Sequence, residues 1–196
     1  MTTKEFYGPA FDHLKQAENQ LLHMAQLYAE KNNDDFKPVV YICSRIKSPE
    51  SILRKLEQRG FTQTVESSLD NLYDTVCMRI ICAFVEDVYR TVEWLREQPR
   101  IQIVEEKDYY THPKPNGYRS YHILLKIQLD EGTLMRAEIQ VRTIATDFWA
   151  TLEHQLKYKK SLPHEALSRS ELKHCADDIA SVDLSMQTIR EIIYES

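Results

Sequence analysis

Two alternating runs joined by a short polar turn constrain the fold of this chain more than any other feature. From 119 to 129, Tyr121, Ile123, Leu125, Ile127 and Leu129 fall on one side of an extended strand, with Ser120, His122, Lys126 and Gln128 on the other. From 133 to 142, Met135, Ala137, Ile139 and Val141 alternate with Arg136, Glu138, Gln140 and Arg142. Asp130-Glu131-Gly132 joins the runs as a three-residue hairpin loop with its glycine at the left-handed position. That loop pairs Leu129 with Thr133 and sets odd residues opposite odd ones. Both apolar rows then share a face. The other face collects His122 opposite Gln140, Ser120 opposite Arg142, and Glu138 one step away. Alternation alone describes an ordinary sheet with one wet face equally well.

The rest of the chain reads as elements packed around this hairpin. An N-terminal helix over 4–31 carries Leu14, Leu21, Ala25 and Tyr28 on one face and stops at Asn32-Asn33-Asp34-Asp35. His13 and His23 on it read as surface residues. Val39 to Ile46 is a strand, and Ser48-Pro49 then caps and starts a helix that Gly60 ends. Val76 to Phe84 is a nearly continuous apolar run, interrupted by Arg79, as in a strand buried on both faces. Residues 85–98 form a covering helix and Ile101 to Glu105 another short strand. A loop with Pro113, Pro115 and Asn116-Gly117 follows. After the hairpin, a helix from Ile144 to Lys160 places Phe148, Leu152 and Leu156 on one face, and Pro163 closes the core segment, 36–160. A last helix over 165–195 carries Leu172, Ala176, Ile179, Val182, Met186, Ile189 and Ile193 at alternating three- and four-residue steps.

Bulk properties narrow the function classes. At 196 residues, 42% hydrophobic and 28% charged, the chain is sized for one domain, and a net charge of −5 builds in no general attraction for nucleic acid or anionic membrane. No apolar run approaches the roughly 20 residues of a membrane span. Cys43, Cys77, Cys82 and Cys175 show no zinc spacing, which fits a reduced cytoplasm. The four glycines, at 8, 60, 117 and 132, are too far apart for a Walker loop or a dinucleotide fingerprint. Any nucleotide phosphates must therefore be held by side-chain cations.

Candidate cations crowd one junction. Arg45, Lys47, Arg54, Lys55 and Arg59 surround a strand end and the first turns of a helix, a setting that suits phosphate oxygens and equally suits a solvated basic face. For Arg54 and Arg59 the weight falls on the solvated face. Asp74, at the start of the apolar run, reads alone as a turn or capping aspartate. Asp147 can accept from both N1–H and the exocyclic amine of guanine, or can serve simply as an acid at a helix N-terminus.

The segments GYRSYH, AEIQVRT and DFWATLEH, preceded by SRIKSPESI and DTVCMRI, together resemble the synthetase domain of the small alarmone synthetases over residues 36 to 160. The resemblance implies an α+β fold, a mixed β-sheet of about five strands surrounded by helices, of the nucleotidyltransferase-like synthetase type. It implies transfer of pyrophosphate from ATP to the 3′-hydroxyl of GDP or GTP with Mg2+ as cofactor. In the implied roles, Arg45 and Arg79 stack on adenine, Lys47, Ser51 and Lys55 complete the ATP site, and Asp74 and Glu138 hold the metal. Glu138 is also the implied base. Lys107, Lys114, Tyr118, His122, Gln140 and Asp147 take the acceptor, with Tyr118 stacking on guanine. The chain departs from the family where Val76-Cys77 replaces the usual alanine and glycine. No His-Asp hydrolase motif occurs, so synthesis without degradation is expected. A cytoplasmic homotetramer with the last helix in a subunit contact is expected, with no membrane association. Two other readings remain at this point: a toxin-type relative that pyrophosphorylates the 3′ end of tRNA, and a non-catalytic RNA-binding module. The acidic net charge and the lack of a basic tail weigh mildly against both.

Overall fold

The computed structural model describes residues 2–31, 37–157 and 165–194. The expected stop at Asn32 to Asp35, the helix end at Lys160 and the break at Pro163 lie outside them. Among the described residues the elements run α1 (Thr3–Tyr7), α2 (Ala10–Lys31), β1 (Val39–Ile46), α3 (Pro49–Gln58), α4 (Val65–Asn71), β2 (Val76–Cys82), α5 (Val85–Arg96), β3 (Ile101–Asp108), β4 (Tyr121–Gln128), β5 (Leu134–Thr143), α6 (Ile144–Lys157) and α7 (Glu165–Tyr194). One sheet holds the strands in the order β1-β2-β5-β4-β3. β2 and β5 run parallel and the other neighbours antiparallel, which gives the expected mixed α+β architecture.

The hairpin forms as its turn chemistry dictates. Leu129 N donates to Thr133 O at 2.8 Å, and Gly132 N donates back to Leu129 O at 2.9 Å. Gly132 sits at φ +88°, a region open to glycine at little cost. The register sets His122 against Gln140 and Leu124 against Glu138. Tyr121, Ile123, Leu125, Ile127, Met135, Ala137, Ile139 and Val141 are all buried on the other face. There they pack with Leu14, Leu21 and Ala25 of α2 and Val88, Val92 and Leu95 of α5. Each fully buried Leu, Ile or Val contributes on the order of 2 kcal/mol to this layer. Tyr28 stacks on Trp94 with ring centroids 4.3 Å apart, tying α2 to α5. With one face sealed, the sheet offers its even-numbered β4 and β5 side chains to a site on the other.

Several elements differ from the sequence expectation for identifiable reasons. The N-terminal helix is two helices, because Gly8 takes φ +53° and Pro9 has no N–H to continue the ladder. β3 extends to Asp108, held by pairing with β4 beyond a register shift between Ile103 and Glu105. β2 is buried on both faces only toward its end: Val76, Met78, Ile80, Ile81 and Cys82 are buried, whereas Cys77 and Arg79 are half-buried on the site face. On α6 the apolar row Phe148, Leu152 and Leu156 is exposed, and Trp149 and Ala150 are the buried pair. Trp149 packs with Ala176, Leu172 and Ile179 of α7, and its indole N–H donates to Leu172 O at 2.8 Å. The seam of α7 is therefore split. Its first half lies back on α6, while Val182, Met186, Ile189 and Ile193 remain exposed. Polar contacts fix that second half, with Arg190 donating to the buried Asp87 at 2.9 Å and Glu86 N donating to Gln187 Oε1 at 3.3 Å.

Candidate active site

Parity on the strands decides which side chains meet. On β1, Cys43 lies opposite Arg79 and Arg45 opposite Cys77, so Arg45 and Arg79 are diagonal neighbours on the site face. Together with Cys43, Ser44, Cys77, Met78 and Gln140 they line a cavity of about 210 Å³. Just before β2, Asp74, 6% exposed, is gripped by two ammonium groups, that of Lys47 and that of Lys55 at 2.5 Å. Lys47 is placed by its backbone: its N–H donates to Thr75 O at 2.9 Å, and its carbonyl accepts from the Tyr7 hydroxyl at 3.0 Å. Lys55 comes from α3, whose Ile52 and Leu56 are buried in the core. Burial pushes the Asp74 carboxyl upward, but the two lysines outweigh it and hold it below the usual range. Only Oδ2 is used by them. Oδ1 is buried with no hydrogen-bond partner among the described residues.

One strand over, Cys77 and Glu138 are register partners in the parallel β2–β5 pair. The Cys77 thiol turns away and donates to Asp74 O at 3.1 Å. Burial and the neighbouring Glu138 and Asp74 raise its pKa to about 12, so it stays protonated and presents no thiolate to the site. Glu138 lies 3.0 Å from His122 Nδ1 and accepts from Gln140 Nε2 at 2.8 Å. Burial pushes the Glu138 carboxyl upward, yet these two partners bring it down to about 2. The same burial lowers the pKa of His122. Its neutral ring has one N–H, and ionised Glu138 can only accept, so Nδ1 carries the proton. The Tyr118 hydroxyl, which accepts from Arg142 at 2.7 Å, then donates to His122 Nε2 at 2.7 Å.

A second hub closes the upper end. Asp147, 6% exposed in the first turn of α6, accepts from Arg79 at 3.0 Å, from Arg142 at 2.9 Å and from the Tyr41 hydroxyl at 2.5 Å. Arg79 and Arg142 share Oδ1 and Tyr41 takes Oδ2, so one acceptor position remains and a two-point contact with a guanine edge requires exchanging one of these donors. Tyr118 is packed edge-on by Tyr109 and His122 at 5.9 and 5.7 Å, with Lys114 Nζ 4.7 Å from its ring centroid. A base stacking on the ring face under Lys114 displaces that ammonium.

Of the residues expected from sequence, Arg45, Lys47, Lys55, Asp74, Arg79, Lys114, Tyr118, His122, Glu138, Gln140 and Asp147 line this one face. Lys107, on β3, is the register partner of His122 and so shares this face, where it pairs with Glu105 at 3.2 Å; Ser51, one helical turn before Lys55 on α3, shares a hydrogen bond with Ser48 at 3.0 Å. Arg142 and Tyr41 were not among the candidates. Arg142 has the right parity on its strand, and Tyr41 shares parity with Arg45, so strand alternation was the signal for both.

The donor set around Asp74 and Glu138 suits a hard divalent cation. It offers carboxylate oxygens, and one of them is an orphan whose burial without a partner is costly. Residues 44–162 match the family model described as the region found in RelA / SpoT proteins. GTP pyrophosphokinase YwaC of Bacillus subtilis is 39% identical over 150 residues, covering 72% of this chain and 71% of that protein. GTP pyrophosphokinase YjbM of the same organism is 30% identical over 198 residues, covering 98% and 90%. The crystal structure of small alarmone synthetase 1 from Bacillus subtilis bound to its product pppGpp superposes with a TM-score of 0.83 at 29% identity. It covers 92% of this chain and 94% of that one. Small alarmone synthetase 2 from Bacillus subtilis gives 0.80 at 36% identity, covering 91% and 94%. A domain match over more than half the chain and a fold shared along nearly all of it make this protein a member of the RelA/SpoT family.

Proposed function

We propose that this protein synthesises (p)ppGpp by transferring pyrophosphate from ATP to the 3′-hydroxyl of GDP or GTP. The observation that carries this reading is the single sheet face on which Asp74 and Glu138 lie between two different nucleotide settings. On one side are the Arg45–Arg79 cavity with Lys47 and Lys55, and on the other Tyr118 with Lys114. The adenine of ATP lies between the two arginines and its phosphates take over the lysines from Asp74. The guanine stacks on Tyr118. His122 and Gln140 orient Glu138, whose low pKa keeps it ionised at neutral pH, as a metal ligand and hydrogen-bond acceptor must be. Asp74 and Glu138 would hold Mg2+, which supplies charge neutralisation on the transferring phosphates. The 3′-oxygen attacks the β-phosphorus while its hydroxyl donates to Glu138, which relays the proton to solvent because a carboxyl of so low a pKa does not hold it, and the bond to the α,β-bridging oxygen breaks to release AMP. The exposed apolar rows on α6 and α7 support a homo-oligomer, read as a tetramer by resemblance. The whole chain acts as one synthetase domain. No described helix is long and apolar enough to cross a membrane, which accords with a cytoplasmic site of action.

Purified protein incubated with labelled ATP and GDP, GTP or tRNA in turn tests the assignment. A 3′-diphosphorylated guanine nucleotide is expected, with folded Glu138→Gln and Asp74→Asn proteins reduced at least a hundredfold. Product formed on tRNA alone, or substantial turnover by Glu138→Gln, overturns it.

A further inference from the structure

Beyond Asp74, the same sheet face continues into a cavity of about 260 Å³ under α4, lined by Thr75, Lys126, Arg136, Asp70, Leu69 and Leu72 among others. Lys126 and Arg136 are direct register partners on β4 and β5. Like charges placed opposite each other on neighbouring strands destabilise a sheet. No carboxylate pairs with either among the described residues, although both are half-buried and Asp70 lines the same cavity. Arg136 rests instead on the ring of Tyr73, 5.0 Å from its centroid, a stacking that leaves the guanidinium edge free to donate. Thr75 is 1% exposed, and its hydroxyl has no hydrogen-bond partner among the described residues. Two unneutralised cations and an unused hydroxyl around a cavity too small for a whole nucleotide are the recognition elements of a single phosphate group.

Its position says which phosphate. Arg136 is two residues from Glu138 on β5, about 7 Å along the strand, and Thr75 adjoins Asp74 while its carbonyl anchors Lys47. The cavity thus lies at the phosphate end of the donor setting, opposite the Arg45–Arg79 end. We infer that Lys126, Arg136 and Thr75 form a subsite for the terminal phosphate of the diphosphate that ATP donates, an inference that rests on the synthetase reading for the identity of the nucleotide.

Two measurements decide it. Inorganic pyrophosphate titrated calorimetrically into wild type and into a Lys126→Ala/Arg136→Ala double variant, with no nucleotide present, tests the pocket independently of any turnover. Binding at least tenfold weaker in the variant is expected, and unchanged binding overturns the subsite even if labelled ATP shows the synthetase activity intact. Conversely, absence of that activity with pyrophosphate binding still lost in the variant fails the synthetase reading and leaves an anion pocket. ATP and ADP affinities, measured without acceptor, identify the phosphate. The double variant should lose about tenfold for ATP and little for ADP, whereas an equal loss for both overturns the terminal-phosphate assignment. Inorganic orthophosphate that binds alone, and is not displaced by ATP, would likewise assign the pocket to a free anion. Lys126→Glu guards against a folding artefact. By pairing with Arg136 it should raise the melting temperature while still weakening ATP. A variant that is both more stable and full in ATP affinity rules the subsite out.

Discussion

Glu138 joins the stability of this protein to the chemistry of its site. Its carboxyl ionises near pH 2 in the folded protein against an ordinary value of 4.5, because His122 and Gln140 favour the anion over the desolvation that opposes it. The folded state therefore holds its protons less readily than the unfolded chain, and this contribution is complete above about pH 4.5. It is lost as the pH falls towards 2. Chemical denaturation at pH 7, 4 and 3 should show wild type weakening steeply on acidification and Glu138→Gln following a shallower limb, while Asp74, also depressed, retains part of the slope. Parallel limbs in the two proteins would contradict this. The trio of Glu138, His122 and Gln140 was legible in the sequence because strand parity alone brings them together. The Asp147 hub was not: Arg79, Arg142 and Tyr41 reach it from three strands, and no local pattern reports that convergence. The grip of Lys47 and Lys55 on Asp74 was hidden for the same reason.

At the scale of elements, strands were easier to read than helix faces. Alternation with period two leaves only two choices for a strand, and the hairpin loop selects between them. On α6 the residues Phe148, Leu152 and Leu156 are as well spaced for burial as Trp149 and Ala150 are, and the docking of α7, invisible in the sequence of α6, decides which are covered. That docking passes through one glycine. Gly117 is buried at φ +84°, and a Cβ there would lie 2.5 Å from the Cβ of Ala176 on α7. Gly117→Ala should lower stability by about 2 kcal/mol, combining a left-handed backbone with a contact too close to keep. It should also raise the KM for the acceptor, since Tyr118 is the next residue. Adding Ala176→Gly removes the clash and leaves the backbone strain, so thermal unfolding of the double variant should recover only part of the loss. Full recovery would show that the strain at 117 is negligible.

For the molecule as a whole, the exposed row of Val182, Met186, Ile189 and Ile193 with Phe148 on α6 is the surface expected to be covered in an assembly. Met186→Asp with Ile193→Asp should lower the mass seen by light scattering without lowering the melting temperature of the subunit. Ile179 is unsuitable for that test because it packs on Trp149 within the same chain. An undiminished mass would assign the row no part in assembly. The placement of the parallel β2–β5 pair has a consequence of a different kind, for the order of events in refolding. β3, β4 and β5 follow one another and can associate through short connections, whereas β2 must join β5 from across the whole β3–β4 excursion. Non-local pairing of this sort is slow, since loop closure precedes any gain in contacts. Asp74 enters with β2 and Glu138 with β5, so the carboxylate pair between the two nucleotide settings is not assembled until that last seam closes. On dilution from denaturant, far-ultraviolet dichroism should therefore return ahead of pyrophosphate transfer, and the lag between them measures the time in which the protein is largely folded and catalytically silent.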